Sequence, residues 1–269
     1  MTDETDGYVS VTRRQWDENM SAWFERYARP RWAAAEPYWG IWCVPQTRLP
    51  VLPARLAGLA AVELGCGSAY VCAWLARRGA RPVGVDLSAR QLGTARRMQD
   101  EFDLHFPLVH ADAERVPLSS GCADLVISEY GASVWCDPYR WIPEAARLLR
   151  PGGQLVFMLQ STLARMCMPE QGPATDRLAR DQFGLHRVMR RGTSGAEYQL
   201  FSLPHGEWIR LMATCGLTVE NLIEVQVPPG AVNNDFPEFP DEWIRRWPAE
   251  EVWFARRAVS FPSADTASP

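Results

Sequence analysis

Val62-Glu63-Leu64-Gly65-Cys66-Gly67-Ser68-Ala69-Tyr70 is the stretch on which the reading of this chain turns. The apolar run Leu59 to Leu64 carries one acid, Glu63, and ends in two glycines spaced Gly-x-Gly; a helix-like segment, Tyr70 to Arg78, follows. The pattern predicts a strand, a tight glycine turn and a helix. Glycine has no Cβ, so a ligand can come close to the backbone there, and the helix start offers unpaired N–H groups.

Outward from that turn, strand and helix patterns alternate. Arg81 to Asp86 is a short apolar run ending in an acid, and Ser88-Ala89-Arg90-Gln91 has the form of a capping box ahead of Leu92, Ala95 and Met98. His105 to His110 and Ala123 to Ser128 predict two further strands. A helix from about Pro143 to Leu149 stops at Arg150-Pro151-Gly152-Gly153, and Gln154 to Leu159 predicts the fifth strand. Such alternation implies a parallel sheet with helices on both faces. Ligands of these sheets sit beyond the carboxyl ends of the strands, where Gly65, Asp86, Asp112 and Ser128 fall. His205 to Cys215 predicts a late helix, and Leu217 to Val227 and Glu251 to Val259 two last strands.

Composition narrows the chemistry. The 269 residues are 47% hydrophobic, enough for a full core, and the net charge of −4 argues against duplex nucleic acid or an anionic membrane as main partner. All 28 basic residues are arginines. The absence of lysine excludes a lysine Schiff base and a Walker-type phosphate loop. The 7 cysteines form no C-x-x-C pair and no zinc-spaced cluster, so no metal is expected. They read as buried thiols in a reducing compartment. With no apolar run of membrane-spanning length, the expectation is a cytoplasmic protein.

Two cofactor classes use a glycine turn after the first strand: dinucleotides and S-adenosylmethionine. A dinucleotide site wants a third glycine where this chain has Tyr70. Glu63 would repel a pyrophosphate but suits a cofactor carrying an ammonium and a sulfonium. Asp86 is placed to accept from ribose hydroxyls, and Asp112, with the backbone of Ala113 beside it, from an adenine amino group.

With these residues the sequence resembles the class I S-adenosylmethionine-dependent methyltransferases, in the branch typified by ubiquinone and menaquinone biosynthesis enzymes. The resemblance rests on Val62 to Ser68, Gly84 to Ser88 with Gln91-Leu92, Asp112 to Leu118, Asp124 to Ser128 and Leu148 to Gly153. It implies an α/β, Rossmann-like, seven-stranded and mostly parallel sheet with its last strand antiparallel. It further implies that Gly65, Cys66 and Gly67 admit the methionine part of S-adenosyl-L-methionine, with S-adenosyl-L-homocysteine as the product. Asp86 would bind the ribose, Leu87 would lie against the adenine, Asp112 and Ala113 would hold its edge, the Ser128 backbone would lie near the ammonium, and Gln91 would belong to the same cofactor site.

The remaining segments choose the acceptor. Trp16, Met20, Trp23, Phe24 and Tyr27 share one helix face, as core or as a ligand wall, with Trp39 a second aromatic candidate for the wall. Five units are expected: a helical cap over 1–55, a cofactor-binding core over 56–160, an inserted substrate lid over 161–204 with helix at Asp176 to Phe183, the rest of the sheet over 205–260, and a tail over 261–269. Met1 to Ser10 reads as a frayed end. Glu129, Tyr130 and His205 are the catalytic candidates, with His186 beside them. Arg187, Arg190 and Arg191 form a basic cluster that is either a solvated face or a grip on a carboxylate or phosphate. Ser128-Glu129-Tyr130-Gly131 lacks the signature of enzymes that methylate nucleic-acid amines, which points to methyl transfer to a small-molecule acceptor. An RNA or protein methyltransferase and a catalytically silent cofactor binder are the alternatives.

Overall fold

The computed structural model describes residues 4–191, 195, 197–231 and 235–259. Seven strands form the main sheet: β1 Ala60–Leu64, β2 Arg81–Asp86, β3 Leu108–His110, β4 Ala123–Glu129, β5 Leu149–Gln160, β6 Leu217–Val225 and β7 Glu250–Arg257. Their order is β3-β2-β1-β4-β5-β7-β6, and β7 alone runs antiparallel to its neighbours. The chain starts at the centre, works outward through β2 and β3, then crosses back to β4. The point where that order reverses, between β1 and β4, is where such sheets open a crevice.

Local chemistry explains the helices. Among them are α1 Glu4–Gln15, α2 Ser21–Ala33, α3 Tyr70–Arg77, α4 Ala89–Glu101, α5 Pro138–Leu148, α6 Thr162–Cys167 and α7 His205–Thr214. Ser88 caps α4 by accepting from the Gln91 N–H, while the Gln91 side chain donates to Ser21 Oγ instead of closing the box. Asp137 caps α5 with Pro138 in the first turn, and Trp141, Ile142, Ala145 and Leu148 bury one face of it. Each such large apolar side chain contributes about 1.5–3 kcal/mol by leaving water. On β5 the side chains alternate between two cores. Leu155, Phe157 and Leu159 pack with Trp141, Trp208 and Trp253, whereas Val156 and Met158 pack with Trp74, Val252 and Trp243.

The N-terminal region departs from expectation. Residues 4–10 belong to α1 and are no frayed end: the Tyr8 hydroxyl donates to Glu114, and its ring meets Phe201 edge-on. The polar look of this stretch hid a face aimed at the body of the protein. A π-helical turn, Trp16–Met20, links α1 to α2, and Asp17 in it accepts from Ser88 Oγ at 2.6 Å. Trp32 of α2 donates to the Ser68 carbonyl at 2.7 Å. Both contacts fasten the N-terminal helices over the carboxyl ends of β1 and β2.

The 161–204 segment also differs. Asp176 to Phe183 is not helical. Its neighbourhood is tied outward through Ala174 N–H to Glu238 O and Ala179 N–H to Met166 O, so the hydrogen bonds a helix would need are spent elsewhere. The regular parts are α6 and a hairpin of Arg187–Arg191 against Glu197–Phe201. The expected tail, 261–269, lies outside the described residues. So does Gly192, beside the arginine cluster.

Candidate active site

A cavity of about 1210 Å³ opens at the carboxyl ends of the strands, roofed by α1, α2 and the hairpin. Sites for one small molecule usually measure roughly 300–1,000 Å³, so there is room for two ligands side by side.

One end is acidic. Asp86, at the end of β2, accepts from Gly67 N–H at 2.7 Å and Ser88 N–H at 2.8 Å. Burial pushes its carboxyl up to about 6, against the pull of those two donors. Asp112 accepts from Glu114 N–H at 2.9 Å, which fixes the turn after β3. Glu114 is itself held by Tyr8, by Asp137 N–H and by Arg140 at 2.7 Å. Leu87, Gln91 and Ala113 complete this end.

The glycine turn divides two tasks between its glycines. At Gly65 (φ +73°) a Cβ would stand 2.6 Å from Gly131 Cα and from Ala132 N, so the residue is glycine because β1 and the turn after β4 touch. At Gly67 (φ +54°) a Cβ would meet only Gln91 Oε1, at 3.5 Å, on a surface open to the cavity. The first glycine serves the fold and the second admits a ligand.

In the middle lies a knot of charges and rings. Glu129 accepts from Gly40 N–H at 3.1 Å and from the Tyr70 hydroxyl, and pairs with Arg31 at 3.6 Å. Arg31 lies over the rings of Tyr70 and Tyr38, at 4.5 and 5.1 Å, and its buried Nη1 has no hydrogen-bond partner. Burial opposes its charge, but Tyr70 and Glu129 outweigh that and hold it protonated. Tyr130 takes a left-handed backbone (φ +54°), a strain of order 1–3 kcal/mol for a non-glycine residue. Its N–H to Met158 O at 3.1 Å and its hydroxyl to Glu250 at 2.6 Å hold it there. Burial pushes the Glu250 carboxyl up to about 8.

Of the residues singled out from sequence, Gly65, Cys66, Gly67, Asp86, Leu87, Gln91, Asp112, Ala113, Glu129 and Tyr130 all line the cavity. Three do not. Glu63 turns to the α3 side of the sheet, accepts from Cys72 N–H at 2.9 Å, and is pushed up to about 8 by burial. It closes the first turn of α3, which removes the basis for reading it as a partner of the cofactor's positive charge. Ser128 is buried, its hydroxyl donating to Leu64 O at 2.8 Å and joining β4 to β1. His205 sits at the start of α7, held by Glu251 at 2.9 Å, a contact that raises its pKa. His186 is likewise held elsewhere, by Asp137 at 2.9 Å.

The aromatic stripe Trp16, Met20, Trp23, Phe24 and Tyr27 lines the cavity, whereas Trp39 is buried against Trp74. Sequence reasoning missed Tyr8, Arg31, Arg165 and Glu238, which also line it. Tyr38-Trp39-Gly40-Ile41 carried a faint signal, its aromatic density, for the loop that donates to Glu129. Nothing local marked Arg165 or Glu238.

A seven-stranded sheet with one antiparallel strand, a glycine turn after β1 and acids beyond β2 and β3 together define a class. Over its cofactor-turn region the chain is similar to S-adenosylmethionine-dependent methyltransferases. Residues 62–157 match the family model described as a methyltransferase domain. A malonyl-[acyl-carrier protein] O-methyltransferase of Enterobacter lignolyticus is 38% identical over 120 residues, 44% of each chain. A ubiquinone biosynthesis O-methyltransferase of Aromatoleum aromaticum is 34% identical over 105 residues, 39% of this chain and 45% of that one. The chain thus spans less than half the length of these curated relatives in the match. The crystal structure of a geranyl diphosphate C-methyltransferase from Streptomyces coelicolor shares the fold over 93% of this chain and 98% of its own, with a TM-score of 0.62 and 14% identity. Among the described residues, no helix is long and apolar enough to cross a membrane, and no cluster of three or more His, Cys, Asp or Glu could hold a metal.

Proposed function

We propose that the protein transfers a methyl group from S-adenosylmethionine to a small molecule. One observation carries the reading: a single cavity joins the acid-lined turn of a methyltransferase domain to an aromatic-walled space large enough for a second ligand. The residues fit the cofactor. Gly67 leaves its surface open, Asp86 and Asp112 present acceptors for hydroxyl and amino groups, and Arg31, with Nη1 3.6 Å from Glu129 and not hydrogen-bonded, is a buried cation in the lining. Bound S-adenosylmethionine supplies an already activated methyl group, so the protein's task is mainly alignment, worth on the order of 7–11 kcal/mol in favourable cases.

Within that reading Tyr130 walls the reaction zone, its backbone set by β4 and its hydroxyl by Glu250. Glu129 keeps Arg31 and Tyr70 in place, and its engagement with three partners suits a fixed charge better than a mobile base. His205 drops out as a base, because it lies outside the cavity lining. The 161–204 segment acts as the lid, with the hairpin meeting α1 at Tyr8–Phe201. The curated relatives include methyltransferases named for malonyl-[acyl-carrier protein] and for ubiquinone biosynthesis. A small acceptor group, free or held on a carrier, accords with them. Incubation of the protein with isotopically labelled S-adenosylmethionine and a metabolite extract tests the proposal. It predicts a small product, free or released by thioester cleavage, heavier by one methyl group, and label found only in RNA or on protein side chains would contradict it.

A further inference from the structure

Beyond Tyr130 the cavity wall changes sign. Arg165 of α6 is 2% exposed and Arg190 of the hairpin 5%, and both line the cavity. Arg190 donates through its Nη atoms to the carbonyls of Pro169 and Gly172, so backbone fixes its place and no carboxylate neutralises it. Its Nε has no partner, and neither do Nε and Nη1 of Arg165. Among the described residues neither arginine is in an ion pair. The other charges on this wall leave a surplus. Arg191 and Glu197 pair with each other, Asp235 pairs with Arg26 at 2.8 Å, and Glu238 lies at longer range from the two arginines. With Glu238 fully ionised, two guanidinium groups still face one carboxylate.

Unpaired buried charges and unsatisfied buried donors are costly, by several kcal/mol for a charge and about 1–3 kcal/mol for a donor. The two arginines oppose each other as well: burial lowers the pKa of Arg165 to about 10, and Arg190 adds to that. A fold that keeps such a pair at the wall of a cavity keeps a place for an anion. Tyr198, Met168 and Leu200 supply apolar surface next to it.

We propose that Arg165 and Arg190 bind an anionic oxygen group, a carboxylate or a phosphate, on the methyl acceptor. The proposal rests on the methyltransferase reading of the cavity and names the substrate class. The acceptor is an anion with an apolar body, its charged end at α6 and the hairpin, its reacting atom toward Tyr130.

Calorimetry with phenylacetate, phenyl phosphate and the neutral phenylacetamide tests it, on protein saturated with S-adenosylhomocysteine and again without it. At least one of the two anions should bind roughly ten- to a hundredfold more tightly than the amide, the loss expected for charge-assisted hydrogen bonds. The tighter anion identifies the oxyacid. Arg165→Met should erase that preference while the melting temperature holds or rises, since it removes an unpaired buried charge. Arg190→Gln should weaken the same preference, and S-adenosylhomocysteine affinity should be unchanged in both variants. Equal binding of anions and amide, no anion binding at all, or a preference that survives both substitutions would overturn the proposal. If S-adenosylhomocysteine fails to bind while the anion preference persists without it, the methyltransferase reading falls and the anion site stands.

Discussion

At one end of the cavity, Asp86 and Asp112 sit on the turns that follow β2 and β3, each accepting from a backbone N–H two residues further on. At the other end, Arg165 and Arg190 come from α6 and the hairpin, and neither has a side-chain partner to balance it. The acids are fixed by their own turns, with backbone N–H partners in place and acceptor capacity to spare. The arginines are fixed by packing and backbone carbonyls, and three of their nitrogens are left over. The first end is built to recognise one molecule by a pattern of hydrogen bonds. The second, in the proposed reading, is built around a charge that an acceptor's anion satisfies.

Substitutions sharpen that contrast. Asp86→Ala should weaken S-adenosylmethionine binding by on the order of a hundredfold, through two lost hydrogen bonds to a charged group, and leave anion binding at the arginine end alone. Calorimetry on both ligands reads this directly; equal losses at both ends would show that the halves are not independent.

Within the acidic half, the two glycines should behave differently. Gly65→Ala forces a Cβ against Gly131 and should cost more than about 2 kcal/mol of stability, read as a fall in melting temperature. Gly67→Ala has space for its methyl, so it should cost only about 1 kcal/mol for its left-handed backbone and act mainly on cofactor affinity. A reversed order would mean that Gly67, not Gly65, is the packing glycine.

Acidity provides a further contrast. Asp86 is held near 6, and its ionised form is the better acceptor. Cofactor affinity should therefore fall as pH drops through about 6, by at most about tenfold per unit, and Asp86→Asn should flatten the profile. Glu250, behind Tyr130, titrates near 8. Folding favours its protonated form, so that contribution is present below the ordinary carboxylate range and is lost as pH rises through about 8. Glu250→Gln should make the melting temperature less dependent on pH in that interval; an unchanged slope would place the loss in another group, such as Glu63.

The same contrast explains what was legible in the sequence. The acidic half is local: strand, glycine turn and terminal acid follow one another within a few residues, so Gly67, Asp86 and Asp112 could be placed from spacing alone. Glu63 shows the limit. Strand β1 is covered on both sides, and its alternation does not say which face an acid takes. The basic half is tertiary. Arg165 stands between Ala164 and Met166 in a six-residue helix whose short length hides any face, and only packing against the hairpin buries it. In Arg187–Arg191 the burial alternates strictly, a strand signal masked by three arginines in five residues. The expected helix over Asp176 to Phe183 failed for the same reason, because its hydrogen bonds go to distant partners.

Titration of the protein with S-adenosylmethionine, with NAD as the control, bears most directly on the central claim. The acid-lined turn predicts one micromolar site for S-adenosylmethionine, weakened in Asp86→Ala, and no comparable binding of NAD. Binding of NAD in its place, or no binding of S-adenosylmethionine at micromolar concentration, would contradict it.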